Sequence, residues 1–145
     1  MNKDDLNISE IEAYFNYLID SARALDESPI VLSDNVFYTN YKNPLPKGIK
    51  DMVVVDCTNS SRDFTAYGKQ TVLVELYAKE VNGLKNIGKL KKMEKELNRL
   101  IEYSKSLDDI NGSFKYILDR RGSYSEYEGG IKFHKNIIEI KILII

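Results

Sequence analysis

An α+β domain is predicted, with a mostly antiparallel sheet of four or five strands packed by two helices, and three features predict it. Two segments carry apolar residues at helical spacing, several others alternate or run continuously apolar at strand length, and the order along the chain is α-β-β-β-α-β-β. The 145 residues match the size of one domain, so residues 1–145 are expected to form a single folded unit.

The first helix is predicted to begin at Ser9, because Ser9 and Glu12 have the spacing of a capping box, in which hydroxyl and carboxylate satisfy free amides of the first turn. Ile11, Phe15, Leu18, Ala22 and Leu25 then recur at three and four residues, and Ile8, Tyr14 and Ile19 widen that stripe. Asp26-Glu27-Ser28-Pro29 stops the pattern. Val36-Phe37-Tyr38-Thr39 reads as a strand of β-branched and aromatic residues, ended by Asn43-Pro44-Leu45-Pro46-Lys47-Gly48, whose prolines lack ladder donors. Met52 to Cys57 is apolar on both faces, which places it inside the sheet. Asn59 to Asp63 is polar and turn-like.

Thr71 to Lys79 alternates, with Val72, Val74, Leu76 and Ala78 on one side and Thr71, Glu75, Tyr77 and Lys79 on the other. Asn82-Gly83 ends it. The second helix is expected over Ile87 to Ser104, where Leu90, Met93, Leu97, Leu100 and Ile101 share one face. Phe114 to Leu118 suggests a strand, Arg121 to Gly130 a Gly- and Tyr-rich loop, and Ile131 to Ile145 a final strand. In that last strand Ile138, Ile140, Ile142 and Ile144 line one face, and Leu143 and Ile145 make the other apolar too, so a neighbouring subunit is a candidate for its cover.

Lys and Arg total 21 against 22 Asp and Glu, a formal charge of −1, which excludes a global positive field for nucleic acid or an anionic membrane. Cys57 is the only cysteine, so no internal disulfide forms, and a reducing compartment is expected. Met1 to Asp5 is acidic where a secretory signal is basic, and no apolar run reaches the roughly 18 residues of a membrane span.

No motif for catalysis, metal or cofactor is found, and none of the three is expected. His134, the only histidine, would need carboxylate or thiol partners that sequence does not place beside it, and Cys57 would need a base and a lowered pKa and is explained more simply as a small core residue. Asp56, Asp108, Asp109, Asp119, Glu126 and Glu128 lack calcium-loop spacing, and the glycines form no phosphate-binding pattern. Lys85, Lys89, Lys91, Lys92, Lys95 and Arg99 sit opposite the apolar stripe of the second helix, a basic face that could meet phosphate or an acidic partner or remain solvated. Tyrosines are abundant outside the first helix, several of them in expected loops or at strand ends, where tyrosine suits a protein interface.

The strand Met52-Val53-Val54-Val55, the strand Thr71 to Lys79, Asn82-Gly83, the long helix with Leu90, Met93, Leu97 and Leu100, and the closing Ile138 to Ile144 follow one another in that order. In this order and strand character the chain resembles the tail-terminator and head-to-tail completion proteins of tailed bacteriophages and prophages. The resemblance implies a small α+β subunit forming a homo-oligomeric ring, a hexamer or dodecamer, in the virion, and touching neck, portal or tail proteins. DNA could pass through its lumen without specific binding, and a tail-terminator, neck-ring or tail-adaptor role fits equally. Carried onto this chain, the interface regions are Tyr38 to Gly48, Thr58 to Lys69 and Gly122 to Gly130, with Tyr38, Tyr41, Arg62, Phe64, Tyr67, Tyr124 and Tyr127 as candidate contacts. The alternatives are a small nucleic-acid-binding module using Lys89, Lys92, Lys95 and Arg99, and an enzyme whose site assembles from His134, Asp119 and Glu126.

Overall fold

The apolar periodicity becomes two helices, α1 over Ile8–Arg23 and α2 over Ile87–Ser106, and the strand-like runs become β1 (Val36–Tyr38), β2 (Asp51–Asp56), β3 (Asp63–Phe64), β4 (Gly68–Lys79), β5 (Phe114–Glu128) and β6 (Ile131–Ile144). The computed structural model describes the backbone of residues 8–38, 45–56, 63–64, 68–106, 114–128 and 131–144, and the side chains of 12–38, 45–56, 72–104 and 132–140. Cys57, Tyr41, Arg62 and Tyr67 lie outside the described residues, and Phe64, Tyr124 and Tyr127 are placed by their backbone alone.

The fold is α+β, and its sheet is mixed. The strand order is β1-β2-β4-β6-β5, with β3 pairing beside β4. Only β1 and β2 run parallel, with Val36 opposite Val53, and the remaining pairings are antiparallel. The sheet is therefore mostly antiparallel, as expected, and carries six strands where four or five were expected, because the turn-like stretch ending at Asp63 closes onto β4 through the two residues of β3.

β2 is an interior strand between β1 and β4, as its two apolar faces require. Val53 and Val55 join Val72, Val74, Leu76 and Ala78 of β4 and Ile138 and Ile140 of β6 in the main core, closed by Phe15, Leu18, Ile19 and Ala22 of α1 and Leu90, Met93, Leu97, Leu100 and Ile101 of α2. Both helices thus cover one face of the sheet. Across the sheet a smaller core of Ile49, Met52, Val54, Tyr77 and Phe133 is flanked by Phe37 and Leu45. Tyr77, expected on the polar side of its strand, is only 1% exposed, because residues of the segment before β2 pack over that side.

One expectation for the C-terminal half is corrected. Arg121 to Gly130 is not a loop up to Glu128: β5 continues through it, with a register shift between Arg120 and Ser123. Gly122 lies at that irregularity, and an isolated glycine within a strand commonly marks a bulge. β6 is paired along both edges, by β4 from Gly68 to Lys79 on one side and by β5 on the other, while the side chains of Ile142 to Ile145, whose two apolar faces were expected to need cover, lie outside the described residues. Ile138 and Ile140 are buried within the chain's own core.

Candidate functional site

The described surface features that stand apart from the core gather at the N-terminal end of α2. Asn82 and Gly83 have φ of 52° and 77°, the left-handed pair that an Asn-Gly turn of the I′ kind requires. On either side of them the Val81 N–H donates to the Leu84 carbonyl at 3.0 Å, and the Leu84 N–H donates to the Val81 carbonyl at 2.9 Å. This reciprocal pair fixes a small knuckle. It presents Val81 and Leu84 at 50% and 71% exposure, and Ile87, the first residue of α2, adds a third apolar side chain at 54%. Ile87 lies off the apolar stripe that α2 turns to the core, at 100° per residue. Asn86 caps the helix, its Oδ1 accepting from the Lys89 N–H at 3.2 Å.

Beside the knuckle lies a cleft of about 480 Å³ lined by Lys50, Asp51, Lys79, Glu80, Val81, Asn82, Asn86 and Lys89. A second cleft, of about 300 Å³, also reaches Asp51 and Lys89 and is walled by Val31, Leu32, Lys92, Met93 and Glu96 among others. The ion pair between Lys89 Nζ and Asp51 Oδ2, at 3.2 Å, is common to both. Asp51 is fixed from the other side: Ser33 Oγ donates to its carboxylate, and Asn35 Nδ2 donates to its carbonyl at 3.1 Å. Arg23 Nη2 donates to the Ser33 carbonyl at 2.6 Å, which ties the end of α1 into the same network.

The basic face of α2 is therefore divided. Lys89 is paired with Asp51, and Arg99 donates to both Glu96 oxygens at 2.9 Å and to the Ser28 carbonyl at 2.7 Å. Glu96 in turn accepts from the Val31 N–H at 3.3 Å. Arg99 thus fastens the α1–β1 connection to the helix and Lys89 fastens β2 to it, and Lys92 and Lys95 remain exposed. Sequence spacing put all four on one face and could not show that two of them meet carboxylate or carbonyl oxygens brought in by tertiary packing. Arg99→Ala is expected to lower the unfolding free energy by about 1 kcal/mol, read by urea denaturation, against less than about 0.5 kcal/mol for Lys95→Ala.

Among the tyrosine candidates whose backbone is described, Tyr38 lies on β1 at one edge of the sheet and Tyr124 and Tyr127 lie on β5 at the other. Tyr38 packs partly buried against the main core and its O–H donates to Asn16 Oδ1 at 3.4 Å. Tyr124 and Tyr127 sit on β5 opposite Lys135 and Lys132, in strand and not in loop. Of the three residues of the enzyme alternative, Glu126 is opposite Phe133, next to His134 along β6, whereas Asp119 pairs with Glu139, five residues beyond His134 and about 16 Å away at strand rise. His134 Nε2 instead lies 3.5 Å from Glu80 Oε2. Among the described residues no group of three or more His, Cys, Asp or Glu is placed to hold a metal ion.

Val81, Leu84 and Ile87 were not among the residues the sequence singled out. The signal was present, since Asn-Gly between two apolar residues is the strongest short turn pattern, and neither Val81 nor Leu84 belongs to a helical stripe. Compared with known proteins, the chain matches no protein-family model and no curated sequence. No helix among the described residues is long and apolar enough to cross a membrane.

Proposed function

We propose that this chain is a structural subunit that assembles with copies of itself into a ring at the head-tail junction of a tailed bacteriophage or prophage, as a tail terminator, neck or tail-completion protein. The observation that carries the assembly part is the knuckle: three apolar side chains within seven residues, each at least half exposed, on a hydrogen-bonded turn and the helix start that follows it. A rigid apolar projection loses little freedom when it docks, so more of its burial appears as affinity. Grouped exposed apolar residues mark contact surfaces, while single ones are ordinary.

The place of that assembly, in a virion neck or tail, rests on the resemblance in element order, and the α+β arrangement with two helices on one sheet face is compatible with it. Engagement of Lys89 and Arg99 within the fold favours a protein-packing role over a DNA-gripping one for this helix face. DNA would pass such a ring without specific contacts.

Light scattering coupled to size-exclusion chromatography tests the proposal. A mass several times that of the 16.7 kDa chain, or one that climbs with concentration, is the expected result. A monomer mass throughout the micromolar range, with no binding to tail-tube or neck proteins, counts against it.

A further inference from the structure

We infer that the knuckle docks on a second copy of this chain, against the acidic segment that follows α1. This rests on the assembly reading above and names the surfaces that carry it.

The two surfaces are opposite in charge and alike in having an apolar centre. Around Val81, Leu84 and Ile87 stand the exposed Lys50, Lys79 and Lys91. Lys50 and Lys79 line the same cleft as Val81, and Lys91 is one helical turn beyond Ile87. The carboxylates nearby are already engaged, Asp51 by Lys89 at 3.2 Å and Glu80 beside His134 at 3.5 Å. The segment after α1, residues 24–35, contains no Lys or Arg. It exposes Asp26, Glu27 and Asp34 around Pro29 and Val31, the latter 40% exposed. Lys92 borders this surface on the α2 side, in the cleft that Pro29 and Val31 also line.

Both surfaces are fixed before any contact. The acidic segment is held by Arg99 at the Ser28 carbonyl, by Glu96 at the Val31 N–H, and by the Ile30 N–H donating to the Ala22 carbonyl at 3.1 Å. Docking thus orders little new backbone.

Their separation makes them two patches. Ile87 and Arg99 are twelve residues apart on α2, about 18 Å at 1.5 Å per residue, so the knuckle and the acidic segment are distinct patches. Knuckle against knuckle would oppose lysines to lysines, and acidic segment against acidic segment would oppose carboxylates. Like-charge juxtaposition disfavours both. The remaining pairing sets the knuckle of one copy on the acidic segment of another; made in one direction it is a heterologous contact that repeats and closes into a ring when its rotation allows, and made reciprocally it gives a two-fold pair, so the ring reading requires the first.

Sedimentation velocity on the full chain tests the inference with three variants: Leu84→Asp, the pair Lys79→Glu with Lys91→Glu, and the pair Asp26→Lys with Glu27→Lys. All five positions are exposed, and circular dichroism checks that each variant keeps its fold. Each is expected to weaken self-association by about 30-fold or more. Mixing the two charge-reversed variants one to one should restore it, because each reversed surface then meets its complement. Undiminished association in all three variants, with a wild-type oligomer present, overturns this interface and leaves the ring reading standing. A mixture that stays dissociated overturns the pairing of these two surfaces. A wild-type chain that is monomeric at every concentration overturns the ring reading, and this inference with it.

Discussion

Phe133→Ala is expected to cost about 3 to 5 kcal/mol of stability, the range for truncating a buried aromatic residue. Phe133 is fully buried on the sheet face away from the helices, with its ring edge-on to Tyr77 at a centroid separation of 6.3 Å and an interplanar angle of 85°. It closes the end of the smaller core against Ile49, Met52 and Val54, so truncation leaves a cavity among groups from β2, β4 and the segment before β2. Domains of this size are stable by only about 5 to 15 kcal/mol, so the variant should unfold at markedly lower urea. With no tryptophan and ten tyrosines, the transition is followed by tyrosine fluorescence or circular dichroism. A loss below about 1 kcal/mol would mean that this face of the sheet is open to water.

Lys135→Ala is expected to cost about 3 kcal/mol, for a different reason. Lys135 Nζ lies 3.2 Å from Glu75 Oε1 and 3.4 Å from the Tyr77 hydroxyl oxygen, and 5.4 Å from the centre of the Tyr77 ring. The Tyr77 O–H itself donates to Glu75 Oε1 at 2.7 Å. The lysine and glutamate side chains are only 12% and 15% exposed, so water cannot fully replace the lost ammonium. Removing one partner strands the other charge, whereas replacing both as Lys135→Met with Glu75→Gln removes the charge together with its desolvation penalty. The double variant should therefore unfold at higher urea than Lys135→Ala. Equal losses in the two would show that packing around Lys135, and not the pairing of charge, sets its contribution.

Both residues show where sequence reading stops. Alternation along Thr71 to Lys79 identified the helix-facing side, and Val72, Val74, Leu76 and Ala78 do form the main core. The same alternation assigned Glu75 and Tyr77 to a polar side, because period two reports which residues share a face and not whether a distant segment crosses it. That cover comes from residues such as Leu45 and Ile49, before β2 in the chain. The helices were legible because their stripes run for several turns, and the observed starts and ends fall within about two residues of those expected. β3 was too short to carry any period. The strand through Tyr124 and Tyr127 was hidden by Gly122, which reads as a loop signal until pairing with β6 is known. The parallel placement of β1 depends on the path between β1 and β2, which composition does not fix.

The candidate site was legible in part. Lys89, Lys92, Lys95 and Arg99 were correctly gathered on one helix, but their separate fates depend on Asp51 and the Ser28 carbonyl meeting that helix in the fold. The knuckle was readable from Asn82-Gly83, and its exposure was not, because the residues flanking a turn are as often tucked under as displayed. These two findings add the N-terminal end of α2 and the segment fastened along its side to the candidate surfaces, beside tyrosine-bearing regions that lie mostly outside the described residues.

The central claim is that copies of this chain close into a ring, and negative-stain electron microscopy of the purified protein at high micromolar concentration tests it most directly. The account predicts closed annular particles of one uniform subunit number, lost in the Leu84→Asp variant. A field of monomers, or of symmetric pairs with no annular particles, would contradict it.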